Sequence, residues 1–292
     1  MQQQIGGPNL PQVAVVTDSV ACLPRELIEQ YGIEIIPLTI LIDGRIYRDW
    51  VDITPEQAYQ FFLENPDSFK TAPATPEECL AVFKKASQRA QNIICVTLSV
   101  KISTLYNMAN MAREKAATEL PGINIVLIDS GTATAAQGFV ALAAARVAIQ
   151  GKTVDEAVEA ALEVKRKVNT IVLLDTVRHV YRSGRVPRIA AQAASILNIK
   201  PIFTVAETVH FATAVATRKQ GIERMLRMMR DKVENRPVHC AVMHAYDLQA
   251  ALMLKERVER EFNCVELWIS EFSPLMGYAT GTGTLGVAFY PE

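Results

Sequence analysis

Short apolar runs that end in polar residues, each followed by a helical stretch, recur along most of this chain, and few folds satisfy that alternation. Residues 13–16 read Val-Ala-Val-Val and pass into Thr17, Asp18 and Ser19, which suit the cap of a following helix. Residues 93–97, 123–128 and 171–174 repeat the pattern. The runs are apolar at consecutive rather than alternate positions, so both faces of each strand need cover, as in a mainly parallel sheet between two layers of helix. Pro24 and Gly32 bracket the first helix, Thr54–Pro55 opens a second that runs to about Asn65, and Thr75-Pro-Glu-Glu78 is a capping box opening a third. Further helices are expected over 103–120, 134–150 and 154–168, and a longer strand over 33–42 with a turn at Asp43–Gly44.

The pattern changes near Val168. Residues 201–205 and 209–215 flank Glu207–Thr208 as a hairpin would, and a helix over 221–234 precedes a strand over 238–244. A helix over 248–262 then leads into strands over 265–270 and 284–290. The expected architecture is α/β: a flexible tail over 1–12, a domain over 13–168 on a mainly parallel sheet, and a domain over 169–292 on a mixed sheet, with helices on both faces. A length of 292 residues allows each domain a sizeable core.

Thirty basic side chains against thirty-one acidic ones leave a net charge of −1, which gives a nucleic-acid-binding role no support. The most apolar stretch, 133–149, is interrupted by Gln137, Gly138 and Arg146, so no transmembrane segment is expected. The opening MQQQIGGPNLPQ lacks the charged and apolar regions of a signal peptide, and a cytoplasmic location is expected. None of the five cysteines forms a CxxC pair, and Cys95 and Cys240 lie in strand-like runs, which points to buried reduced thiols.

Gly281-Thr-Gly-Thr-Leu-Gly286 spells GxGxxG, but a dinucleotide fingerprint follows a strand and opens a helix, whereas these glycines precede a strand near the end of the sequence. An anion-cradling turn and a plain tight turn both fit them. No GxSxG, HExxH or Walker loop occurs, and His179, His210, His239 and His244 lack metal-ligand spacing. Asp18–Ser19 and Asp129–Ser130 stand at the carboxyl ends of expected strands, where they suit a ligand site or a helix cap equally. Met225, Met228 and Met229 share a helix face that fits core packing or a flexible ligand, with Arg224, Arg227 and Arg230 on another.

Two hydroxyls and one guanidinium suit an anion with an apolar remainder. Thr71 lies in KTAPAT, read as irregular, and Ser103 stands where a helix begins; either can cap that helix or donate to a carboxylate beside it. In the segment 173–203, Gly184 can take the left-handed conformation that stops a helix, and Arg185 projects beside apolar elements, including an expected helix over 190–199.

Together these pieces resemble the DegV family, the fatty-acid-binding proteins of bacteria. The matching segments are VAVVTDSVACLP, YGIEIIPLTILIDG with DWVDIT, the threonine of KTAPATPEE, LSVKISTLYNMA, VLIDSGTATAAQG, VYRSGRV, ILNIKPIF and GTGTLGVAFY, in the family's order. The resemblance implies two α/β domains with one long-chain fatty acid, such as palmitate, between them and no other cofactor. It places the carboxylate against Thr71 and Ser103, with Arg185, Thr280, Gly281 and Thr282 around it. It also implies a non-catalytic protein. The alternative is a subunit of a kinase-type system acting on a fatty acid or a small polar substrate. The family's HxGPG loop reads Ala279-Thr-Gly-Thr-Gly283 here, and the missing histidine speaks against a kinase-type partner.

Overall fold

The computed structural model describes residues 12–176, 179–180, 183–185 and 199–292. The expected tail lies outside them except for Gln12, as does the expected helix over 190–199 except for Ile199.

The first sheet is parallel throughout, in the order β2 (Glu34–Ile36), β1 (Val13–Asp18), β6 (Asn92–Thr97), β7 (Asn124–Asp129). One face buries Ala14, Val16, Ile93 and Cys95 against α3 (Pro76–Ser87) and α4 (Leu105–Glu119). The other buries Val13, Val15, Ile94 and Val96 against α5 (Thr134–Ala148) and α6 (Val154–Lys167). Consecutive apolar residues in β1 and β6 therefore serve two separate cores, as their pattern requires.

The second sheet is mixed, in the order β10 (Thr208–Val215), β9 (Lys200–Ala206), β8 (Asn169–Leu173), β13 (Leu285–Pro291), β11 (Val238–His244), β12 (Cys264–Glu271). Every pairing is antiparallel except β11 with β12. Its outer face packs on α7 (Arg218–Val233) and α8 (Leu248–Glu261). Met225 and Met229 are fully buried there beside Ile171 and Leu173, so the methionine face is core. The inner face, with Val172, Ala241 and Ala288, shares a core with α5.

Helix α5 thus lies between the sheets and is buried almost all round, which explains its uniformly apolar sequence. Its three interruptions each make a contact. Gln137 Nε2 donates to Thr17 Oγ1 at 3.0 Å and to Asp18 Oδ2 at 2.7 Å. Gly138 allows the helix to press on the Ala21 carbonyl oxygen, which a Cβ would meet at 2.6 Å. Arg146 forms a two-pronged ion pair with Glu266 of β12.

The expected strand over 33–42 is two strands. β2 ends at Ile36, and β3 (Thr39–Ile42) joins a separate antiparallel sheet with β4 (Arg45–Arg48) and β5 (Phe69–Ala72). Pro37 has no N–H to extend the parallel ladder, and Leu38 leaves it by donating its N–H to Ser19 Oγ. Helices α1 (Arg25–Tyr31) and α2 (Pro55–Glu64) match their capping signals. Helix α9 (Pro274–Thr280) has no counterpart in the periodicity, because seven residues are too few to display it. Among the described residues no helix is long and apolar enough to cross a membrane.

Candidate functional site

The two large sheets enclose a cavity with an empty volume of about 880 Å³, its open mouth included. Its walls are aliphatic and aromatic: Val20 and Leu98 follow β1 and β6, Val172 and Phe203 come from the second sheet, and Leu275 and Met276 from α9. Thr71, Ser103, Arg185 and Thr280 add polar groups to the same lining, and Ala279 stands beside them.

Each polar group is set by local structure. Thr71 lies in β5 opposite Ile40 of β3, not in an irregular loop. The alternation in Phe-Lys-Thr-Ala is too short to stand out, and pairing with β3 supplies what local sequence does not. The Ser103 backbone N–H donates to Ser99 O at 3.0 Å, and its Oγ accepts from Leu105 N at 3.2 Å, which leaves the hydroxyl proton for another acceptor. Helix α4 begins at Leu105, so Ser103 sits just ahead of its amino end, where backbone N–H groups favour negative charge. Gly184 takes φ +69°, the left-handed turn expected of it, and Arg185 is exposed, with Nη1 donating to Ser183 O at 2.8 Å.

The loop that closes α9 differs from expectation in detail. Thr280 Oγ1 donates to Met276 O at 2.9 Å, so that hydroxyl retains only acceptor capacity. Gly281 and Thr282 are absent from the cavity lining; Gly281, at φ +84°, is pressed against the His179 ring. The glycine run joins α9 to β13, with no helix after it, so it is not a dinucleotide loop.

The carboxylates at the strand ends hold the frame. Asp18 is buried and accepts from Val20 N and Leu98 N, each at 3.0 Å, and from Gln137. Burial raises its pKa to about 6, against the pull of those donors. Asp129 Oδ1 accepts from Gly131 N at 3.0 Å, and Ser130 Oγ donates to Thr132 O. Asp49, missed in the sequence, is buried and accepts from Ser273 Oγ at 2.7 Å; burial raises its pKa to about 7. Ser273 also caps α9, so this bond fixes the helix that carries Leu275 and Met276 into the cavity.

His239 pairs with Glu266 and stacks on Tyr290, and buried His244 accepts from Asp247 N at 3.2 Å. All five cysteines are free thiols, four of them buried. Among the described residues no cluster of His, Cys, Asp or Glu could hold a metal ion.

A sequence profile described as "Uncharacterised protein, DegV family" matches residues 12–292. A DegV domain-containing protein of Caldanaerobacter subterraneus subsp. tengcongensis is 33% identical over 226 residues, which cover 77% of this chain and 78% of the relative. Protein DegV of Bacillus subtilis is 29% identical over 95% of this chain and 98% of its own length. A solved structure described as fatty acid binding of a DegV family protein from Thermus thermophilus superposes with a TM-score of 0.87 at 26% identity, covering 96% of this chain and 100% of that one. The crystal structure of DegV from Bacillus subtilis, described as a fatty acid binding protein, gives 0.85 at 26% identity, covering 96% and 99%.

Proposed function

The chain belongs to the DegV family, and on that premise we propose that it binds one long-chain fatty acid in the cavity between its two large sheets. The observation that carries this reading is an apolar cavity whose lining includes both Thr71 and Ser103. The two solved DegV proteins described as fatty-acid-binding share the fold over nearly its whole length. Each methylene buried contributes about 0.8 kcal/mol, so an acyl chain gains steadily from such walls. A carboxylate loses that gain unless donors replace its water, and hydrogen bonds to a charged group contribute about 1.5–3 kcal/mol each.

In this reading Thr71 and Ser103 donate to the carboxylate beside the amino end of α4. Arg185 supplies a cation at the cavity mouth, and the loop of Thr280, Gly281 and Thr282 forms the outer surround. The protein is a non-catalytic cytoplasmic carrier whose two domains meet near Val168. Transfer of the bound acid to a kinase-type partner is the weaker reading. An acyl phosphate carries more charge than a carboxylate; Ala279 brings no cation, and the Thr280 hydroxyl is committed to Met276 O. Arg185 is the one cationic side chain on the cavity lining among the described residues.

Replacing Thr71 and Ser103 together by alanine is expected to weaken palmitate binding at least tenfold, read by calorimetric titration, with an unchanged circular dichroism spectrum. Unchanged affinity in the double variant places the head group elsewhere.

A further inference from the structure

A second cavity, of about 710 Å³ with its mouth, opens where β8 and β9 part. The two strands pair only from Ile171↔Thr204 to Leu173↔Ile202. Beyond that register Asn169 stays on β13, and Val205 and Ala206 stay on β10, so each strand keeps its outer neighbour and loses the inner one. The far end of the β9–β10 hairpin is held by the other half of the molecule: Glu207 N donates to Gly131 O at 2.6 Å, and Ser99 Oγ donates to Glu207 O at 2.5 Å. The strands part beside these tethers. Ile171, Phe289 and Met228 give the opening apolar surface, and Asp231 and Lys232 stand at its solvent side.

Val205 is the one residue that lines both this rear cavity and the front cavity among the described residues. We infer that Val205 is a partition between two parts of one acyl tunnel, and that the rear cavity takes the methyl end of acyl chains too long for the front one. The inference rests on the fatty-acid reading above and extends it to specificity: Val205 sets the chain length, and very long saturated or monounsaturated acids are ligands. A valine on a strand end that has lost one ladder is a thin barrier, and the volume behind it is already open. Each methylene that passes the partition from water into this apolar surface improves affinity about fourfold.

The test compares behenate with palmitate on the full-length protein. Met228→Trp fills the rear cavity from a half-buried position that does not line the front one. It is expected to lower the behenate-to-palmitate affinity ratio at least fivefold with palmitate affinity unchanged. Val205→Ala is expected to raise that ratio at least tenfold, and Met228→Trp in the Val205→Ala background to cancel the gain. A ratio that Met228→Trp leaves unchanged, in the natural or the Val205→Ala background, overturns the inference. Should Val205→Ala fail to fold, Met228→Trp alone decides it. Failure of the natural protein to bind palmitate overturns the fatty-acid reading instead, so the two failures are distinct.

Discussion

Asp49→Asn should make the protein more stable at pH 8 and leave its stability at pH 5 nearly unchanged. The Asp49 carboxyl is buried; Oδ2 accepts from Ser273 Oγ, the nearby Ser19 hydroxyl and Trp50 N–H also favour its charged form, and Oδ1 makes no hydrogen bond of good geometry among the described residues. Burial raises its pKa from 3.8 to about 7, which the hydrogen bonds only partly offset. In the unfolded chain the same group ionises near pH 3.9. Between those values the folded protein holds a proton that the unfolded chain has released, so stability falls as pH rises from about 4 to about 7 and is level above. A shift of about three units corresponds to about 4 kcal/mol lost across that window. Asparagine stays neutral throughout and keeps an acceptor for Ser273, but its amide N–H₂ lies where Oδ1 lacks a partner, at a pH-independent cost of about 1 kcal/mol. About 1.5 of those 4 kcal/mol is already lost by pH 5, so the expected balance is about zero at pH 5 and about 3 kcal/mol gained at pH 8. Asp18 titrates in the same direction in both proteins and largely cancels in their difference. Urea unfolding of both proteins at the two pH values measures this. A difference that does not change with pH, or a variant less stable at pH 8, refutes the reasoning.

Two further substitutions probe the frame and the loop. Gly138→Ala gains about 1 kcal/mol of helix propensity, but its Cβ meets the Ala21 carbonyl oxygen at 2.6 Å and Leu23 Cδ2 at 2.9 Å. A net loss of at least about 2 kcal/mol is expected in thermal unfolding, whereas a stabilised variant would show that α5 does not press on that turn. Ala279→His adds the cation-forming side chain that the loop lacks and is expected to improve use of the bound acid by a fatty-acid kinase subunit, read as acyl phosphate formed. Efficient phosphorylation by the natural protein, unimproved by histidine, contradicts the role given to Ala279.

The fold was legible wherever a pattern was long enough to show its period. The strands of the first sheet were read from runs of consecutive apolar residues because both their faces are buried. Helix α3 announced itself through its capping box and α2 through Thr54–Pro55, and the structure contains both caps. What was not legible depends on partners distant in sequence. The break at Pro37–Leu38 needs Ser19, the strand holding Thr71 needs β3, and α9 needs the Asp49–Ser273 bond. Thr71 and Ser103 were singled out by chemistry and resemblance, and they line one cavity. Met225 and Met229, equally suggestive in sequence, lie on the far face of the second sheet, since helical spacing alone cannot tell which neighbour a face meets.

The central claim is that this cavity holds a fatty acid. Purified protein, extracted with organic solvent and weighed by mass spectrometry against a known protein concentration, tests it most directly. The account predicts about one long-chain acyl carboxylate per chain, lost from the Thr71→Ala, Ser103→Ala double variant. Absence of any stoichiometric acyl chain, together with no uptake of added palmitate, would contradict it.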